Sequence, residues 1–238
     1  MKKEILVFIF DGYADWECAY VCPELRGAGF TVKTVAEDRE IRTSMGGLRV
    51  VPDYTVDDFP WDFSLLLLPG GYAWLDQGNS AALPVAEYAM NHGIPVAAIC
   101  NACNFMAEHG YLDHIQHTGN TAAFMKSQAP HYEGEPHYQE LQAVCDSHVI
   151  TANGTSTLEF TREILRLLAA KPEEEIDGCL EKAVEIFRSG EVPRDGYYAF
   201  NCRKCAETFG HFGYFRIKKE LTEAADRIYR EAGEEPGR

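Results

Sequence analysis

The chain has 238 residues, 46% of them hydrophobic and 25% charged, enough apolar material to bury a full core without disulfide or metal staples. Its formal charge of −15 argues against nonspecific binding to nucleic acid or to an anionic membrane, and no apolar run approaches the ~20 residues of a membrane span. The eight cysteines are expected to be reduced thiols in a cytoplasm, since a chain that can build a core needs no disulfide framework.

In chain order, the first apolar run is EILVFIF (4–10). Two preceding lysines give it the outline of a signal peptide, but it is short and ends in Asp11-Gly12 rather than a small-residue cleavage site, so it reads as a buried strand. FTVKTVA (30–36), FSLLLL (63–68), IPVAAIC (94–100) and HVITAN (148–153) follow, alternating with helical patterns. That alternation implies βαβ units and a mainly parallel sheet. FSLLLL and PVAAI lack polar alternation, as strands covered on both faces do. Ile41 to Val51, with Gly46-Gly47 at its centre, predicts a β-hairpin outside the main alternation. Cys18 and Cys22 fit one helical face, which Pro23 must kink or restart. Thr155 to Ala170 predicts an amphipathic helix with Leu158, Ile164, Leu165 and Leu168 on or near one face.

At Lys171-Pro172-Glu173 the composition shifts. A charged helix over about 174–188, a loop, and a last charged helix over about 217–232 are expected there. The organisation is therefore an α/β domain over 1–170 and a C-terminal helical and loop extension over 171–238 packed on it. The acid lies mostly in the first part, net −12 against −3.

Chemistry concentrates where a buried strand ends in Cys100 and a helix over 101–109 begins at once. Such a turn lifts a side chain above the sheet, as nucleophile elbows do. A thiol there is expected to have its pKa lowered by the helix dipole and nearby backbone N–H groups. The alternative is a small core cysteine. In open parallel sheets ligands bind beyond the carboxyl ends of the strands, so Glu17, after the first strand, and Pro69-Gly70-Gly71, after the third, are expected to surround Cys100.

Together Glu17, LLLLPGGY (65–72), AICNAC (98–103), His117 in QHTGN, and ITANGTSTLEFTREIL (150–165) resemble the ThiJ/PfpI superfamily over about residues 4–170. The resemblance implies a flavodoxin-like three-layer sandwich of the class I glutamine amidotransferase type. It implies that Cys100 is the reactive cysteine, Glu17 the acid hydrogen-bonded to its sulfur, and His117 the histidine placed near it. Gly70, Gly71 and the backbone N–H of Asn101 would form the oxyanion site. It also implies a homodimer. His117 is followed by Thr118-Gly119-Asn120 rather than by the His-x-Glu segment of glutaminases, so the third member of a triad is unassigned and glutamine hydrolysis is not expected. Nothing in the residues supports a peptidase.

The other cysteines have plainer readings. Cys100-x-x-Cys103 has dithiol spacing, with Cys103 as a candidate redox partner, although the second cysteine is expected to face the buried side of its helix. Cys202 and Cys205 are half of a zinc site that Cys179 and His211 would complete without standard spacing, so ordinary thiols are the favoured reading and no metal is expected. No dinucleotide fingerprint or phosphate loop is present, so no organic cofactor is implied. Tyr197, Tyr198, Phe200, Phe209, Phe212, Tyr214 and Phe215 form an aromatic run suited to covering a surface. The leading functional reading is a cysteine-dependent enzyme acting on a small electrophile: a reactive carbonyl, an amide or a nitrile-like group. A redox or stress sensor using the same cysteine, and a noncatalytic binding module, are the alternatives.

Overall fold

The computed structural model describes residues 3–76, 79–173, 175 and 176. The chain divides into two compact units, 1–176 and 177–238. The described residues belong to the first, so Cys179, Cys202, Cys205, His211 and the aromatic run lie outside them.

The strands form where β-branched and leucine side chains can be covered on both faces. β1 (Glu4–Phe8), β2 (Thr31–Ala36), β6 (Leu65–Leu68), β7 (Val96–Ile99) and β9 (Val149–Ala152) pair in parallel, in the order β2-β1-β6-β7-β9. Every residue of β6 and β7 is fully buried, as their unbroken apolar runs require. Two short strands extend the sheet to seven: β5 (Tyr54–Thr55) beside β2, and β8 (Ala143–Asp146), which pairs antiparallel with β9 at the other edge. The expected hairpin is present as β3 (Arg42–Thr43) and β4 (Arg49–Val50), a separate antiparallel pair. Helices α1 (Asp15–Ala19), α2 (Val21–Gly27), α3 (Ala73–Asp76), α4 (Leu83–Asn91), α5 (Ala102–Glu108), α6 (Ala122–Gln128) and α7 (Thr157–Leu167) complete the flavodoxin-like α/β architecture.

Two local expectations change. The helical segment holding Cys18 and Cys22 is divided at Tyr20 into α1 and α2, three residues before Pro23. The two thiols hydrogen-bond each other across that break. The buried stripe of α7 is Thr157, Phe160, Thr161, Ile164 and Leu165, while Leu158 and Leu168 are only half-buried. Threonine enters the stripe because its hydroxyl is satisfied locally: Thr161 Oγ1 donates to the Thr157 carbonyl at 2.7 Å. Among the described residues no helix is long and apolar enough to cross a membrane.

Candidate active site

The strand order decides which loops meet. β7 lies between β6 and β9, and β1 lies beyond β6, so the segments leaving the carboxyl ends of all four strands converge. Cys100 leaves β7 with φ +61°, a left-handed conformation that costs a residue with a Cβ about 1 kcal/mol. Its N–H donates to the Ala152 carbonyl of β9 at 2.9 Å, which pins the turn. A strained, pinned elbow at the end of a buried strand is how a nucleophile is presented.

Glu17 reaches this elbow from α1. It is 1% exposed, and its Oε2 accepts the Gly70 N–H at 2.5 Å. Oε1 is also buried, finds no nitrogen or oxygen partner among the described residues, and faces the Cys100 thiol. Burial pushes the carboxyl up to about 8, more than the Gly70 N–H and the Cys100 contact pull it down. At neutral pH Glu17 therefore keeps its proton and is a donor to sulfur. The loop bearing it is tied down by Ala14 N–H donating to the Gly70 carbonyl at 2.9 Å.

The thiol departs from expectation. Cys100 is pushed up to about 12, first by burial and second by the negative charge of Glu17, rather than lowered by the helix. Hydrogen bonds from Asn120 and from the Asn101 backbone act in the opposite direction. A neutral Glu17 removes the second cause, so the two groups titrate as a pair, and loss of the first proton leaves one negative charge between sulfur and carboxylate.

Space around the sulfur is made by absent side chains. A Cβ on Gly70 would lie 2.7 Å from Cys100 Cβ and 2.7 Å from Glu17 Oε2. One on Gly154, after β9, would lie 2.8 Å from Cys100 Sγ. Gly71 has φ +149° and leaves no room for a Cβ beside the Gly12 carbonyl and the Phe10 ring. Trp74 holds this loop from below, its Nε1 donating to the Pro69 carbonyl at 2.7 Å and its ring packed against Phe10 and Phe105.

The expected oxyanion donors are thus divided. Gly70 spends its N–H on Glu17 and does not offer it to a substrate. The Asn101 N–H points to the Cys100 sulfur, and the Asn101 side chain donates from Nδ2 to the Gly71 carbonyl at 3.2 Å. His117 is fully buried with both ring nitrogens engaged elsewhere. Nδ1 donates to the Ile115 carbonyl at 2.8 Å, and Nε2 accepts the Tyr132 hydroxyl at 2.6 Å. Burial lowers its pKa and keeps it neutral. The structure gives His117 no hydrogen bond to the thiol. The residue of that segment which reaches sulfur is Asn120, its Nδ2 lying 3.5 Å from Cys100 Sγ.

Cys103 points the other way. It is fully buried on α5, and its sulfur lies 3.4 Å from each of the Ala98 and Ala152 carbonyls, so it faces the sheet rather than the elbow. Among the described residues no group of three or more histidine, cysteine or acidic side chains is placed to hold a metal ion. Asn120 and Gly154 were not singled out from the sequence. The signal for Gly154 is its place just beyond the carboxyl end of β9, the position that Gly70 holds after β6.

With this geometry in place, the comparisons with known proteins are direct. Residues 3–167 match the model of the DJ-1/PfpI family. The chain is 37% identical to a Bacillus subtilis protein named "Uncharacterized protease YdeA" over 208 residues, 87% of this chain and 98% of that one. It is 33% identical to "Uncharacterized protease YoaZ" of the same organism, over 70% of this chain and 83% of the relative. Among solved structures, the DJ-1 superfamily protein Atu0886 from Agrobacterium tumefaciens superposes with a TM-score of 0.70 at 31% identity, covering 75% of this chain and 96% of that one. A thiJ/pfpI family protein from Bacillus anthracis does so at 0.69 and 33%, covering 78% and 90%. The chain belongs to the DJ-1/PfpI family.

Proposed function

We propose that this protein is a cysteine-dependent enzyme that attacks a small electrophile, a reactive carbonyl in the first instance, with the Cys100 thiolate. The observation that carries the reading is the contact between a strained elbow thiol and a buried carboxyl that keeps its proton at neutral pH. One proton leaves the pair to solvent, and sulfur carries the negative charge with the Glu17 hydroxyl donating to it. Sulfur then bonds to the carbonyl carbon, the carbonyl electron pair moves onto oxygen, and Glu17 gives that oxygen its proton. Solvent reprotonates Glu17, and the product of the step is a neutral thiohemiacetal. Amide and nitrile-like groups are open to the same attack, and so is the acyl chemistry that the word protease in the names of the B. subtilis relatives points to.

His117 has no part in the proposed step, since its ring nitrogens are engaged with Ile115 and Tyr132. A homodimer in a cytoplasm remains part of the proposal, and sedimentation equilibrium tests the assembly. The test of the chemistry is turnover of 2-oxoaldehydes and other small carbonyls by the natural chain and by Cys100→Ser. Turnover that disappears in the variant supports the reading, and turnover that survives overturns it.

A second reading, oxidation of Cys100 to a sulfinic acid, draws on the same donors, because Glu17 and Asn120 both reach the sulfur and would donate to oxygens added to it. Intact mass after mild peroxide distinguishes it by two added oxygens at Cys100.

A further inference from the structure

Asn120 sits in a run of hydrogen bonds whose direction is fixed at both ends by the backbone. At one end the Gly71 carbonyl can only accept, and it takes Asn101 Nδ2 at 3.2 Å. Asn101 must therefore turn its oxygen toward Asn120, whose Nδ2 donates to it at 3.2 Å. At the other end the Gly154 N–H can only donate, and it does so to Asn120 Oδ1 at 3.0 Å. Reversing either amide would set donor against donor or acceptor against acceptor. The second hydrogen on Asn120 Nδ2 is left for Cys100 Sγ at 3.5 Å. Sulfur thus meets a donor on this side and cannot meet an acceptor.

We propose that Asn120 is a catalytic residue of the Cys100 site, a polarity-locked donor that holds the negative charge of the Glu17–Cys100 pair on sulfur. The inference rests on the reading of Cys100 as the nucleophile. The donors around the pair compete. The Gly70 N–H, bonded to Glu17 Oε2, favours charge on the carboxylate, whereas the Asn101 N–H and Asn120 Nδ2 favour it on sulfur. Only charge on sulfur gives a nucleophile. Asn101 contributes a backbone group that no side-chain truncation removes, which leaves Asn120 as the donor side chain on which the balance turns.

The test is the pH dependence of Cys100 alkylation by iodoacetamide, followed by mass spectrometry of the Cys100 peptide in the natural chain and in Asn120→Ala, Asn120→Asp and Asn120→Ser. The alanine variant should move the midpoint up by about one pH unit and slow alkylation at pH 7 by roughly threefold to tenfold. The aspartate variant keeps an acceptor for the Gly154 N–H but faces sulfur with a carboxylate, and should move the midpoint further. Serine, whose hydroxyl still donates, should fall between the natural chain and alanine. Thermal unfolding identifies which variants are folded, and the ordering is read from those. Midpoints equal to that of the natural chain in the folded variants overturn the role of Asn120 alone. A Cys100 that resists alkylation in the natural chain at every pH overturns the reading of the nucleophile itself.

Discussion

Glu17 holds in the folded protein a proton that the unfolded chain releases. Its carboxyl titrates near 8 in place against an ordinary value of 4.5, because burial disfavours the charged form. Between those two values the native state binds more protons than the unfolded one, so this residue makes stability fall as pH rises from about 4.5 to about 8, and has no further effect outside that window. Glu17→Gln removes the effect, since an amide still accepts from Gly70 and donates to sulfur without ever ionising. The variant is expected to match the natural chain near pH 4.5 and to exceed its stability at pH 8 by about 4 kcal/mol, on the linkage between pKa and stability. Urea unfolding at the two pH values checks it; equal differences at both would show that Glu17 does not carry its proton into the fold. The same variant should lose carbonyl turnover, having no acid to give. Gly154→Ala separates space from charge. Its new Cβ, 2.8 Å from Cys100 Sγ, must displace the sulfur or the loop, at a cost of about 1–3 kcal/mol for overpacking. Alkylation of Cys100 should slow while far-UV circular dichroism stays unchanged, and a rate equal to the natural chain's would mean that the sulfur sits elsewhere.

The elbow between β7 and α5 is where the element scale matters most. β7 is fully buried, so its end cannot shift without moving β6 and β9, and that rigidity keeps Cys100 at φ +61°. Substituting glycine for alanine in ordinary backbone destabilises by roughly 0.5–1 kcal/mol, but a left-handed position reverses the preference. Cys100→Gly is therefore expected to unfold at a temperature equal to or above that of Cys100→Ala; a clearly lower value would show a relaxed elbow. This strand and its central neighbours were legible in the sequence because their buried faces leave unbroken apolar runs. The edge strands were not: Tyr54–Thr55 is two residues long and half-buried, and Ala143–Asp146 lies at the sheet edge with Cys145 exposed. Cys100 and Glu17 were legible as a pair because topology places the ends of β7 and β1 together. His117 was legible as a residue but not in its hydrogen bonds, since its partners, the Ile115 carbonyl and the Tyr132 hydroxyl, depend on packing that no local pattern encodes. Asn120 escaped for the converse reason: an asparagine in a loop is ordinary until Gly154 and Asn101 fix which way its amide faces.

At the scale of the whole molecule, the described residues of the candidate site lie in one compact unit. Cys100, Glu17, Gly70, Asn101, Asn120 and Gly154 all belong to residues 1–176, as do the buried strands and α7, which packs against β8 and β9. The final segment described closes that unit with a buried side chain, Ile176, and Lys171 pairs with Glu24 of α2, which ties the end of the chain's first unit back to its first helical segment. A chain ending after Ile176 should therefore unfold in one cooperative transition, because a core of this size needs no contribution from elsewhere. It should also keep the Cys100 alkylation midpoint within about half a pH unit of the full chain's, since every donor to the sulfur among the described residues is retained. Differential scanning calorimetry and the iodoacetamide pH profile measure the two properties separately. A shortened chain that melts cooperatively but has lost its Cys100 profile would assign residues 177–238 a part in the chemistry, whereas one with no transition would make them a part of the fold.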